Sequence, residues 1–404
     1  MKILILTGLK PSSANPIGGI FITRRLQELK KLGHQFTVKD IRTYYGPLRK
    51  FFVSTIKRIL GRVGLVRGKG EAEQPYVMDG IEYTGLAVPS GLPTWAYEKI
   101  VARKIANILK RGGYEILHAH SSYPEGYLAV KAAEKCNIPV IVTSHGGDIK
   151  TLAATSTIVR LRLVEAITKA SCAIFVSEGL LQDARRLGYS GENAEIIYNG
   201  YSTQIFKPKD KKTARTRFGI PESSKIVGYI GGLALYKRAD AFVDLFTQIL
   251  KMEPNAFFLL IGDGPFAPQI RKSADVLPIR ITGFLPQVEI SEWMAAFDVL
   301  ILPSRAEGWG CVIKEAQAMG IPCVGSDSGG IPEAIGKGGV VVPDSGSDFI
   351  EKFARAVVHV LNNPPKSDDI IQCANGYTWE ETVAQEVAVY QRAIGDASPI
   401  KEKE

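Results

Sequence analysis

Two successive series of short Ile- and Val-rich runs, alternating with segments of helical length, predict an α/β chain of two domains. Each domain carries a parallel sheet joined by crossover helices. Length and composition support this reading. At 404 residues the chain exceeds what a single hydrophobic core usually supports, so two domains of roughly 200 residues are the default. Apolar residues make up 45% and charged residues 23%, which is enough apolar surface to bury and too little charge for disorder.

In the first half the runs are Ile3–Leu6, Phe36–Val38, Glu115–Leu117, Val140–Thr143, Ala173–Val176 and Ile196–Tyr198. Then Asn199-Gly200 and the charged stretch from Phe206 to Lys212 interrupt the pattern, placing the boundary between domains 1–200 and 201–375. The second series is Ile226–Ile230, Ala256–Ile261, Arg280–Thr282, Val299–Leu302, Cys323–Gly325 and Val340–Val342. A last helical stretch, 376–395, has no strand behind it and is expected to pack back onto the first domain, leaving 396–404 as a tail.

Several classes are excluded early. The longest apolar runs fall well short of a membrane span, and Ile3–Leu6 is too brief for a signal peptide. Five scattered cysteines, an odd number without metal-type spacing, argue against a disulfide framework and for a reducing, cytoplasmic setting. No Ser-His-Asp or Cys-His arrangement suggests a nucleophile. His118-Ala119-His120 is a possible ligand pair that reads as structural, so no metal and no cofactor are expected.

The net charge of +9 calls for anionic partners. It is concentrated: Arg49, Lys50, Lys57, Arg58, Arg62, Arg67 and Lys69 lie in one stretch with no acidic residue, interleaved with Phe51, Phe52, Ile56, Ile59 and Leu60. The large aliphatics and the lack of a nucleic-acid motif argue against nucleic acid. Stretch 49–69 is expected instead to meet an anionic membrane surface, the alternative being an ordinary surface helix packed on its domain.

The most informative segment is Pro303-Ser304-Arg305-Ala306-Glu307-Gly308-Trp309-Gly310-Cys311-Val312-Ile313-Lys314-Glu315. It leaves a strand, crosses a Gly-rich turn and opens a helix, at the sheet edge where open parallel sheets bind ligands. Paired carboxylates suggest glycoside hydrolysis, which needs a separation of about 5 to 9.5 Å. Eight helical residues rise about 12 Å, a spacing better suited to gripping an extended ligand at two points.

With Gly329-Gly330-Ile331-Pro332-Glu333, Gly262-Asp263-Gly264-Pro265, Tyr198-Asn199-Gly200, Pro16-Ile17-Gly18-Gly19, Gly33-His34 and Ser144-His145-Gly146-Gly147-Asp148, this segment resembles the retaining glycosyltransferases of the GT-B fold, family 4. The resemblance spans nearly the whole chain. It implies two Rossmann-like domains facing across a cleft, with the C-terminal helix crossing back, and transfer of a hexose-type sugar from a UDP or GDP sugar. The acceptor would be a hydroxyl of a glycan or a lipid-linked acceptor in polysaccharide or glycolipid synthesis.

By the same resemblance, Glu307 would hold the donor sugar's hydroxyls and Glu315 the ribose. The backbone at Gly308, Trp309, Gly310 and Cys311 would hold the diphosphate, with Gly18 and Gly19 closing over it, and His145 would lie beside the transferred sugar. Family members commonly show Gly-Arg-Leu followed by Lys-Gly. Here the stretch is Gly231-Gly232-Leu233 and Lys237-Arg238, so the lysine is kept, the arginine is replaced by Gly232, and Arg238 is expected to compensate. The alternative is a non-catalytic, transferase-like partner subunit or glycan-binding protein.

Overall fold

The computed structural model describes residues 1–9, 18–44, 76–78, 80–89 and 92–397. Stretch 49–69, on which the membrane expectation rests, lies outside the described residues, as do 398–404. Strands β1 Lys2–Thr7, β2 Gln35–Tyr44, β3 Tyr76–Met78, β4 Ile81–Pro89, β5 Ile116–His120, β6 Val140–Ser144, β7 Cys172–Phe175 and β8 Ala194–Ile196 form one sheet. Its order is β3-β4-β2-β1-β5-β6-β7-β8, parallel except for the β3–β4 hairpin. A second, all-parallel sheet contains β9 Lys225–Ile230, β10 Ala256–Ile261, β11 Ile279–Ile281, β12 Val299–Leu302, β13 Cys323–Ser326 and β14 Gly339–Val342, in the order β11-β10-β9-β12-β13-β14.

Every apolar run read from the sequence overlaps a strand, Ile196–Tyr198 by a single residue, and the two-domain α/β architecture holds. The hairpin β3–β4 was not anticipated. Its signal is present, since Asp79-Gly80 stands between two β-prone runs and Gly80 takes a φ of +76°, the conformation such turns demand.

Packing follows the period of two in β1. Ile3 and Ile5 face one layer, with Ile22, Leu26 and Leu29 of the helix Ile20–Lys31, while Leu4 and Leu6 face the other, with Val101, Ile105 and Leu128. The helix Trp379–Ala397 lies on the first layer and puts Val383, Val389, Tyr390 and Ala393 into its core. The C-terminal helix thus crosses back, and its regular structure reaches Ala397.

Buried polar contacts help to fix that helix. The Tyr390 hydroxyl bonds His118 Nδ1 at 2.6 Å, and Glu386 pairs with Arg25, both side chains being 1% exposed. Arg25 also donates to Asn199 Oδ1 at 2.7 Å, and burial brings its pKa down to about 10. The chain passes between the sheets at 199–201 and again at 377–379, where Tyr201 N donates to Tyr377 O at 2.9 Å. A Cβ at Gly200 would run into the Thr378–Trp379 backbone, so only glycine permits this close crossing. No helix among the described residues is long and apolar enough to cross a membrane.

Candidate active site

In both sheets the strand order reverses once, between β1 and β5 and between β9 and β12. Crevices at the carboxyl ends of such strands are where open parallel sheets bind ligands. The sequence-derived residues converge there. Lys237 follows β9, Glu307 and the helix Cys311–Ala318 follow β12, His145 follows β6, and Gly18-Gly19 precede the helix Ile20–Lys31.

Lys237 and Glu307 meet directly. The ammonium donates to Glu307 Oε2, and the side chains are 16% and 15% exposed. Burial works against the charge on Lys237, but the adjoining carboxylate more than offsets it and holds the pKa above the usual lysine range. Eight residues on, Glu315 is buried on the helix. Its Oε1 accepts from Gln287 Nε2 at 3.3 Å, and Gln287 Oε1 accepts from Arg24 Nε of the other domain at 2.9 Å. Burial pushes the Glu315 carboxyl up to about 7, opposed by Arg24 and by the Gln287 bond.

Between the two carboxylates the chain turns at Gly310, with φ +84°, and enters the helix. A helix start presents amides without intrahelical acceptors and a positive dipole end. The Trp309 indole is directed away from this opening. It is 1% exposed, donates to Asn199 O at 3.0 Å and packs on Tyr198 with centroids 4.4 Å apart. Only its backbone remains for a ligand. The Cys311 thiol is pushed up to about 12 by burial and the two carboxylates, so it stays protonated.

The histidine rings of the opposite wall are neutral. His145 Nε2 shares a hydrogen bond with His120 Nδ1 at 3.0 Å, and burial drives both rings well below the ordinary histidine pKa. Phe21, two residues after Gly19, places its ring 4.7 Å from that of His145, so the helix start capped by Gly19, with φ +66°, adjoins His145. Across the cleft Gly146 touches the main chain at 308: a Cβ there would come within 2.7 Å of Gly308 Cα.

Arg238 stands apart from this group. Its backbone has φ +60°, which favours glycine and explains why a glycine suits this position. Its guanidinium pairs with Asp344, donates from Nε to Pro303 O at 2.9 Å and lies 3.8 Å from the Phe349 centroid. Space remains beside Gly232, where a Cβ would meet only the Tyr236 hydroxyl, at 3.8 Å. Among the described residues no group of three His, Cys, Asp or Glu is placed to hold a metal ion. A cavity of about 430 Å³ lined by residues such as Ser171, Glu192 and Arg392 lies at the opposite edge of the first sheet and contains none of these residues.

Arg24, Gln287 and Phe21 were not found from the sequence, because they act through contacts between separate helices and belong to no local pattern.

Comparison with known proteins identifies the family. Residues 19–205 match the family described as Glycosyltransferase Family 4, and residues 224–363 match Glycosyl transferases group 1. A Bacillus subtilis protein described as a teichuronic acid biosynthesis glycosyltransferase, TuaC, is 27% identical over 92% of this chain and 93% of its own. The N-acetyl-alpha-D-glucosaminyl L-malate synthase of Bacillus anthracis is 30% identical over 60% of this chain and 64% of its own. Among solved structures, sucrose-phosphate synthase from Thermosynechococcus elongatus superposes with a TM-score of 0.72 at 18% identity, covering 98% of this chain and 99% of that one. Anabaena HepE in complex with UDP gives 0.69 at 19% identity, with the same coverage. The chain is a glycosyltransferase with the GT-B fold and belongs to family 4, the group 1 glycosyl transferases.

Proposed function

We propose that this enzyme moves a hexose-type sugar from a UDP or GDP sugar to a hydroxyl of a glycan or lipid-linked acceptor, with retention of anomeric configuration. The observation that carries the proposal is the buried Lys237–Glu307 pair at the β9/β12 crevice, beside the helix start at Cys311. The diphosphate lies on the amides of 308–311 and near Lys237, a helix start and an ammonium being suited to an anion. Glu307 accepts hydroxyls of the sugar, Glu315 accepts from the ribose, Gly18 and Gly19 close over the phosphates, and neutral His145 bonds the sugar without bringing charge. A nucleotide-sugar donor is also supported by HepE, solved with UDP and with UDP-glucose.

In the reaction the bond from the anomeric carbon to the diphosphate breaks, its electron pair leaving with the phosphate. The acceptor hydroxyl attacks from the face the phosphate leaves, and its proton passes to the departing phosphate oxygen. No enzymic nucleophile, metal or cofactor enters this scheme, because Lys237 and the helix start supply the positive charge. One feature favours the second reading, a transferase-like partner without activity: Gly232 brings no cation, and Arg238 is committed to Asp344.

A panel of nucleotide sugars incubated with candidate acceptors tests the proposal, with proton NMR of the product reporting the anomer. Turnover that survives EDTA is expected. Metal-restorable loss would place a cation in the site, and donor binding without transfer to any acceptor or to water would favour the partner-subunit reading.

For the acceptor side, we place the enzyme in the cytoplasm, with 49–69 against an anionic leaflet. Its seven cations each gain about 1 kcal/mol there. Sedimentation with anionic but not neutral vesicles, reversed by salt, is expected. Binding to neither kind would move the acceptor away from membrane lipids.

A further inference from the structure

The motif Gly329-Gly330-Ile331-Pro332-Glu333 takes no part in the chemistry above, yet it links the two walls directly. Ser177, buried at the end of β7, caps the helix Glu178–Arg186: its Oγ accepts from Leu180 N at 3.1 Å. The same hydroxyl donates its proton to Gly308 O, in the other domain, at 2.7 Å. Glu333 returns the contact. Its carboxylate accepts Glu178 N at 2.9 Å and Gly179 N at 2.7 Å, placing negative charge where a helix start favours it. The glycines allow this approach, since a Cβ on Gly330 would lie 2.8 Å from Ser177 Cβ.

A trans peptide is planar, so the carbonyl of one residue and the N–H of the next are rotated together. Clamping the Gly308 carbonyl therefore sets the peptide plane that carries the Trp309 amide, the first rigid unit of the turn into Gly310 and Cys311. The Trp309 side chain is anchored separately on Asn199, which leaves this plane as the adjustable part.

We propose that Ser177 and Glu333 are positioning residues of the donor site: the N-terminal domain's helix 178–186 holds the turn 308–311 in the shape that receives a diphosphate. This rests on the reading of 308–311 as the diphosphate cradle. It gives Glu333 a function that contact with substrate would not reveal, and it makes the donor site a product of both domains.

Calorimetry with UDP and GDP, and with UMP and GMP as controls, tests it on the full chain. Ser177→Ala and Glu333→Gln should each weaken the better-bound diphosphate roughly tenfold, as loss of one well-placed hydrogen bond does, while affecting the matching monophosphate about twofold or less. If Ser177→Ala lowers the melting temperature but leaves diphosphate affinity unchanged, the residue is only a helix cap and the proposal fails. Gly310→Ala separates the two levels, because it strains the turn itself. Unchanged diphosphate binding in that variant, or no binding of either diphosphate to the parent protein, would overturn the cradle reading.

Discussion

The two walls of the cleft stand on the same kind of strand reversal and differ in how they treat charge. On the C-terminal wall Lys237 keeps its proton in a buried place because Glu307 adjoins it. On the N-terminal wall burial, with nearby Arg25, strips the charge from His118, His120 and His145, His118 falling to about 3. Burial alone disfavours ionisation, and a partner decides whether it survives. The lysine of one wall thus stays charged, while the histidine rings of the other stay neutral.

The largest effect expected from this principle lies just outside the cleft. Arg25 and Glu386 pair out of solvent, so Glu386→Gln strands a buried guanidinium and should cost about 3–5 kcal/mol of stability in urea denaturation. The double change Arg25→Met, Glu386→Leu should recover most of it. A single variant as stable as the parent would show that solvent, and not the partner, sustains the charge.

Within the cleft, Lys237→Ala and Glu307→Ala should each lower turnover by roughly 100-fold or more, the usual loss when a group acting on developing charge is removed. Near-normal turnover for Glu307→Ala would move the reacting centre away from this wall.

The difference between the walls also accounts for what the sequence disclosed. On the C-terminal wall the turn 308–310 and the two carboxylates lie along one strand-turn-helix unit and can be read there, although Lys237 reaches Glu307 from 70 positions away, and the apolar periodicity located the strands. The N-terminal wall is assembled across elements. The His145–His120 bond, the Phe21 contact and the Arg24–Gln287–Glu315 chain join residues up to 263 positions apart, and such pairings leave no spacing to detect. Arg238 shows the opposite limit: its position in the sequence was plain, but the pull of Asp344 and Phe349 on its guanidinium depends on side-chain direction, which sequence does not encode locally.

The smallest expected effect is a pH dependence, and it distinguishes the walls most sharply. Glu315, raised to about 7, changes charge in the working range, whereas His145 stays neutral there. Below pH 7 the carboxyl of the free enzyme is protonated and offers a ribose fewer acceptor sites. Above it the carboxylate is complete, so donor affinity should rise with pH through about 7, by no more than roughly tenfold between pH 6 and 8. Stability runs the other way. A carboxyl raised by burial contributes fully below its unfolded value near 4.5 and loses that contribution as pH climbs through about 7. Glu315→Gln should flatten the donor-affinity step and remove this contribution to the stability slope, whereas His145→Gln should leave the position of the step unchanged. A step that persists in Glu315→Gln and disappears in His145→Gln would put the titrating group on the N-terminal wall, and the contrast between a charged lysine and neutral histidines would have to be reversed.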